Sequence, residues 1–344
     1  MCYTRQMARN QRILLAARPQ GEPKLEDFRF DEQPLPEPAA GEVLLSVVYV
    51  SLDPYVRGRM NGGKSYAKTL ELGDVIEGRT VARVLASRNP AFAEGDWVLG
   101  RAGWQTHALS NGEGLRKLDL NVASATAWLG VLGMPGLTAY AGLLTIGQPK
   151  PGETVVVAAA TGPVGSAVGQ IARIHGARAV GIAGGPEKRR ALLDEFGFDV
   201  ALDHRAPTFE QELAEATPKG IDVYFENVGG HVLRAVLPRL NDFARIPVCG
   251  LIAHYNQSAP PAGPDLSPDL LMRILRQRLT FRGFIVGDFA DQQAAFERDT
   301  LRWISEGRLK YREDIVSGLH ACPQALIGLL RGANFGKLVV RVTD

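Results

Sequence analysis

Cysteine is scarce in this chain: Cys2, Cys249 and Cys322 are its three, widely spaced and odd in number. That pattern argues against a disulfide framework and leaves too few thiolates for a four-cysteine zinc lobe. Long apolar runs are missing too. No segment approaches the roughly 18 residues of a membrane span, and residues 1–7 lack the apolar core of a secretory leader, so the chain reads as cytoplasmic. Nor does one sign of charge prevail. With 39 basic and 37 acidic residues and no basic block, the chain carries no footprint for nucleic acid or an anionic membrane. There is no internal repeat. What is left is an ordinary globular composition over 344 residues, enough for two domains and best suited to small-molecule partners.

The most informative stretch is 153–190. Residues 154–158 form a short β-branched run bounded by Pro151-Gly152, the mark of a strand buried on both faces. Val164, Val168, Ile171, Ala172 and Ile174 then recur at helical spacing, and Gly176 stops that helix before a second apolar run at 179–183. Together these predict one βαβ unit. Its turn, Ala160-Thr161-Gly162-Pro163-Val164-Gly165, is the dinucleotide fingerprint with alanine at the first glycine position. Gly162 lets backbone approach a pyrophosphate, and Gly165 lets helix and strand pack closely.

The end of the second strand selects the dinucleotide. An NAD site wants an acid there for the ribose 2′-hydroxyl, but this chain has Ala183-Gly184-Gly185 followed by Lys188, Arg189 and Arg190. Small residues leave room for a 2′-phosphate and a cation can pair with it, so NADPH is expected. Arg189 and Arg190 also suit a solvated helix face.

Before this unit the pattern is all-β. Strands are expected near 13–15, 27–31, 42–50, 78–85 and 96–100, with a proline-rich linker at 33–41 and glycines spaced as in a small barrel. Helical periodicity begins around 128–146. Beyond the βαβ unit come helix 186–196, strand 200–202, helix 208–216, strand 222–226, helix 231–239 and strand 245–249. A further strand is expected at 279–286 and a helix at 291–306. The stretch 252–268 has no periodicity and suits a lid, a binding loop or an interface segment. A helix at 322–331 and a strand at 337–342 close the chain, and alternating Leu338 and Val340 send that strand back to the first domain.

Five motifs then carry a resemblance. They are Ser51-Leu52-Asp53-Pro54-Tyr55-Val56-Arg57, Gly133-Met134-Pro135-Gly136-Leu137-Thr138-Ala139-Tyr140, Glu226-Asn227-Val228-Gly229-Gly230, Cys249-Gly250-Leu251-Ile252-Ala253-His254-Tyr255-Asn256 and Gly332-Ala333-Asn334-Phe335-Gly336-Lys337. With them the chain resembles the medium-chain dehydrogenase/reductases, and within these the zinc-independent NADPH-dependent alkenal/enone reductases. The resemblance implies an α/β fold: a Rossmann doubly wound parallel sheet at 139–313, plus an N-terminal GroES-like β-barrel domain at 1–138 completed by 314–344. It implies a homodimer joined along the nucleotide-domain sheets, for which 279–286 is the suitable edge. It also assigns NADPH contacts to Met134, Thr138, Gly162, Pro163, Val164, Gly165, Lys188, Asn227, Cys249, Tyr255, Phe284, Val286 and Asn334. His204 stands where relatives have a tyrosine at the 2′-phosphate or adenine ribose, with Arg205 beside it in sequence.

Zinc is not expected. Position 53 is an aspartate with no Cys-His pair nearby in sequence, and His107 and His175 are isolated. Hydride transfer without a Lewis acid suits a small hydrophobic enone or enal, in which attack at the β-carbon gathers charge on the carbonyl oxygen as an enolate. Tyr255 is the candidate donor to that oxygen, and Tyr55 the second. Each also suits plain packing, Tyr255 on the proline-rich loop and Tyr55 in the barrel core. An NADPH:quinone oxidoreductase, or a protein that binds NADPH without turnover, are the alternatives. The Cys249 to Asn256 motif favours the reductase over the first, and the intact turn with Lys188 and Tyr255 argues against the second.

Overall fold

A computed structural model of the chain describes residues 9–63, 65–258, 265 and 267–343. It separates two compact units: one runs to Leu129 and resumes at Glu313, and the other spans Gly130–Arg312.

In the first unit β1 (Arg9–Leu15) and β2 (Phe28–Pro34) form an antiparallel ribbon. β3 (Val43–Ser51), α1 (Tyr55–Arg59), β4 (Thr80–Ser87), β5 (Trp97–Gly100), β6 (His107–Ser110) and β7 (Arg116–Lys117) follow. β3 pairs antiparallel with β4 and β6, β4 with β5, and β5 with β7. The ribbon is tied in by backbone bonds: the Ile13 N–H donates to Trp104 O and the Ile76 N–H to Ile13 O, both at 2.9 Å. The strands thus wrap an apolar core that includes Ile13, Leu15, Leu45 and Trp104. Expected strand 27–31 reaches Pro34, where a sheet edge tolerates the missing proline N–H. α1 and β6 were not anticipated; both are too short to show a period.

The second unit opens with α2 (Met134–Ala141), which runs into a π-helical turn at Gly142–Gly147. Then come β8 (Thr154–Ala158), α3 (Pro163–Ile174), β9 (Arg178–Ala183), α4 (Pro186–Asp194), β10 (Val200–Asp203), α5 (Phe209–Ala216), β11 (Ile221–Phe225), α6 (Gly230–Val236), β12 (Leu240–Val248), α7 (Ser267–Gln277), β13 (Thr280–Gly283) and α8 (Gln293–Ser305). Among the described residues the strands form one parallel sheet in the order β10-β9-β8-β11-β12-β13. This is the expected doubly wound sheet, whose direction of winding reverses between β8 and β11. Every residue of β8 is buried, as its uninterrupted apolar run requires.

Three expectations need correction. The strand expected at 279–286 is only Thr280–Gly283, because its partner β12 ends at Val248, opposite Gly283, and no ladder exists beyond; Val286 instead opens a 3₁₀ turn. Helix 231–239 divides into α6 and a 3₁₀ turn at Leu237–Arg239, with Pro238 lacking the N–H that would continue it. The stretch 252–268 is not without structure: it holds a 3₁₀ turn at Ile252–His254 and the start of α7, while 259–264 and 266 lie outside the described residues.

The chain then returns to the first unit through β14 (Glu313–Ser317), α9 (Cys322–Leu330) and β15 (Lys337–Arg341). β15 lies antiparallel to β3 and parallel to β14, and it buries Leu338 and Val340 as expected. β14 had no apolar alternation by which to foresee it.

Candidate active site

Open parallel sheets bind ligands beyond the carboxyl ends of their strands, at the point where the winding reverses. Beyond β8, Ala159 turns the chain with φ at +52°, Gly162 caps α3, and the first bond back into the helix runs from the Ser166 N–H to Gly162 O at 3.0 Å. The N–H groups of Val164 and Gly165 therefore face outward at the start of the helix. A Cβ on Gly165 would sit 2.4 Å from Ala159 O, so only glycine lets α3 close on the strand end.

Across the reversal, the Asn227 side-chain amide donates to Ala158 O at 2.8 Å, joining the loop after β11 to the end of β8. Glu226 organises that loop. Its Oε1 accepts the N–H groups of Val228 (2.6 Å) and Gly229 (2.8 Å) and the Tyr224 hydroxyl (3.1 Å), while its Oε2 is buried without a partner among the described residues. Burial raises the Glu226 carboxyl above the usual carboxylate range despite those donors. The Glu226 carbonyl in turn accepts the Cys249 and Gly250 N–H groups.

The 249–256 motif is thereby docked on the Glu226 loop. Ile252 and Ala253 donate to the carbonyls of Asn227 and Val228, and the Gly230 N–H donates to His254 Nε2 at 3.2 Å. Tyr255, half-buried, folds its hydroxyl over Gly250, where a Cβ would lie 2.9 Å from it. Loss of solvation pushes the Cys249 thiol up to about 12, with the Glu226 charge adding to the effect; the thiol is neutral at physiological pH. Glu226 and His254 are the functional supports that sequence reasoning missed, since the Glu226 carbonyl meets Cys249 and Gly250, and the His254 ring meets Gly230, far along the chain.

Beyond β9 and β10 lies a cationic cluster. Arg205 Nε and His204 Nε2 crowd Gly184, at 2.8 and 3.1 Å from where its Cβ would be. No larger side chain fits there without displacing them. Lys188, half-buried on α4, adds a second cation near His204. An acid is present as well: burial pushes the Asp203 carboxyl up, but the N–H groups of Arg205 and Gly185 and the neighbouring cations outweigh that and hold it below its ordinary value. His231, on α6, touches His204 at 3.2 Å.

Elsewhere in this unit the Thr138 hydroxyl donates to Met134 O at 2.7 Å, which fixes both at the start of α2. Phe284 turns its ring against Phe225 and Phe289. Val286 follows in the 3₁₀ turn.

Comparison with known proteins gives this geometry its family. Residues 11–118 match the family described as N-terminal domain of oxidoreductase, and residues 163–306 the one described as zinc-binding dehydrogenase. An NADPH-dependent curcumin reductase of Escherichia coli (strain K12) is 52% identical over 98% of this chain and 98% of its own length. The chain belongs to the alkenal/enone reductase group of the medium-chain dehydrogenase/reductases. Prostaglandin reductase 1 of Bos taurus, also similar, is 44% identical over 93% of this chain and 95% of its own. The crystal structure of CurA in complex with NADPH from Vibrio vulnificus superposes with a TM-score of 0.95, at 49% identity, covering 97% of this chain and 99% of that one.

As in the sequence reading, this reductase-group member carries Tyr55 and Asn334 in its first unit. Burial raises the Tyr55 phenol, and the Asp53 and Glu77 charges add to this against Arg79 and Arg101. Asn334 donates to Gly336 O at 2.9 Å. Asp53 accepts from Lys337 Nζ at 2.7 Å and from the Ser51 hydroxyl, so both carboxylate oxygens are engaged. His107 contacts Thr106, and His175 sets its ring edge against Trp303. Among the described residues no group of three or more His, Cys, Asp or Glu could hold a metal.

Proposed function

We propose that this protein reduces the carbon–carbon double bond of α,β-unsaturated aldehydes and ketones with NADPH. One observation carries the reading: an outward-facing dinucleotide turn and a cationic cradle over Gly184 occur together in a chain half identical, end to end, to an NADPH-dependent curcumin reductase. The cradle tests the fit of the cofactor. It offers a 2′-phosphate the Arg205 guanidinium, the His204 ring and Lys188, and an acidic side chain at Gly184, of the kind an NAD site carries, would displace Arg205 and His204.

When bound, NADPH would supply a hydride for the β-carbon; the electron pair of the double bond moves toward the carbonyl oxygen, and a proton from solvent then completes the α-carbon. The chain's own groups do the rest. Gly162, Pro163, Val164 and Gly165 cradle the pyrophosphate, with the Val164 and Gly165 N–H groups as donors. Met134, Thr138, Asn227, Cys249, Phe284 and Val286 form the remaining cofactor wall in this unit. Tyr255 donates a hydrogen bond from its phenol to the oxygen where the enolate charge gathers, and that bond strengthens as charge develops. Tyr55 lines the substrate pocket and is next in line as donor on the sequence reading, and Asn334 is a cofactor contact on the family resemblance. NADPH consumption against a panel of enones and quinones tests the reading; turnover of quinones alone would overturn it.

The homodimer is proposed through β13. That strand ends the sheet among the described residues, and Leu271, Met272 and Leu275 on the preceding α7 are 63, 41 and 69% exposed. An unpaired edge beside an apolar helix face favours a second copy. Sedimentation at micromolar concentration should give a dimer. A cytoplasmic location is proposed from the free thiols of Cys249 and Cys322.

A further inference from the structure

The proposed phosphate cradle holds a histidine pair. His231 Nε2 lies 3.2 Å from His204 Nδ1 and 3.2 Å from His204 O, and the two rings are 5.2 Å apart. A carbonyl oxygen can only accept, so His231 carries its proton on Nε2 and points it at His204. His204 Nδ1, facing that donor, is then the acceptor. The His204 proton accordingly sits on Nε2, the nitrogen that crowds Gly184 beside Arg205. The pair is one wired donor aimed over Gly184.

The surrounding groups act on His204. Facing His204 are Asp203 and Arg205 from its own turn, Lys188 from α4 and His231 from α6; the ring of Phe209 on α5 sets its edge against His231. Arg189 turns elsewhere, to Ala201 O and toward Glu212. Burial is the largest influence holding the His204 imidazole below its ordinary value, followed by His231 and Arg205, with only Asp203 opposing. A dianionic phosphate placed among Lys188, Arg205 and His204 reverses that balance.

We propose that His204 and His231 act together as a proton-coupled clamp for the 2′-phosphate, so that NADP(H) binding takes up a proton and its preference over NAD(H) increases as pH falls toward the histidine range. The inference rests on the NADPH reading above and adds His231, outside the sites assigned so far, as a specificity-determining residue. The proton goes to the imidazole pair, whose shared hydrogen bond lets one charge serve both rings. The phosphate cannot produce the same signal. Its own second ionisation lies near about 6, and binding to cations favours the dianion, which releases a proton rather than taking one up.

Titration calorimetry of NADP⁺ and NAD⁺ in two buffers of different ionisation enthalpy, between about pH 6.5 and 8.5, measures this directly. Wild type should show net proton uptake with NADP⁺ and none with NAD⁺. The NAD⁺/NADP⁺ ratio of Kd should rise as pH falls, by up to about tenfold per pH unit. His204→Tyr should abolish the uptake and His231→Gln, at an exposed position, should reduce it, while both keep a preference through Lys188. A pH-independent preference, or proton release, in wild type overturns the clamp but leaves the NADPH reading standing. Equal affinity for the two dinucleotides at every pH overturns the NADPH reading itself.

Discussion

Lys337 and Asp53 are 284 residues apart in sequence and form a 2.7 Å ion pair with side chains only 3% and 5% exposed. The pair binds the last strand to the turn before α1, and the ammonium also donates to Leu52 O at 2.8 Å. Loss of hydration pulls the Lys337 ammonium below its ordinary value, with Asp53 opposing. Asp53→Ala should therefore cost about 3–5 kcal/mol in urea unfolding, because it strands a buried charge. The double change Asp53→Leu with Lys337→Met should cost clearly less. Equal losses would mean the pair is not electrostatically coupled.

Gly184 and Lys188 should separate the two dinucleotides. Lys188→Ala is expected to weaken NADP⁺ binding by about 1.5–3 kcal/mol, the range for a hydrogen bond to a charged group, and to leave NAD⁺ nearly unchanged. Gly184→Asp should displace Arg205 and His204 and put a charge against the phosphate, moving preference toward NAD⁺. Fluorescence titration of both dinucleotides measures each effect.

Tyr255→Phe should slow hydride transfer to a small enone by about 2.7–4 kcal/mol of barrier while NADPH affinity holds, as for loss of one oxyanion donor. Gly250→Ala is the companion test, since its Cβ would meet the phenol oxygen at 2.9 Å and push it from its place. Single-turnover NADPH oxidation isolates the step. Wild-type rates in Tyr255→Phe would reduce that residue to a packing role.

His107 makes stability depend on pH. Burial holds its imidazole below the ordinary 6.5, so the unfolded chain takes up a proton before the folded one does. Its contribution is fully retained above about 6.5 and is lost as pH falls below it toward the lower folded value. His107→Gln should flatten the decline of urea midpoints between about pH 7.5 and 5.5; an unchanged slope would assign the loss to other groups.

The sequence by itself determined what lies within a window of some twenty residues. β8 was legible because Thr154–Ala158 must be buried on both faces, α3 because Val164, Val168, Ile171 and Ala172 share one stripe, and its end because Gly176 takes φ of +79°. The absence of an acid at Gly184 was likewise a local fact. Only the tertiary structure decided who stands around these points: that β13 stops at Gly283 where its partner ends, that Glu226 and His254 hold the Tyr255 turn through backbone groups, and that His231 meets His204. Propensity and pattern act along the chain, whereas these contacts exist because parallel strands deliver their carboxyl ends to one edge of a sheet, bringing together residues that no local pattern relates.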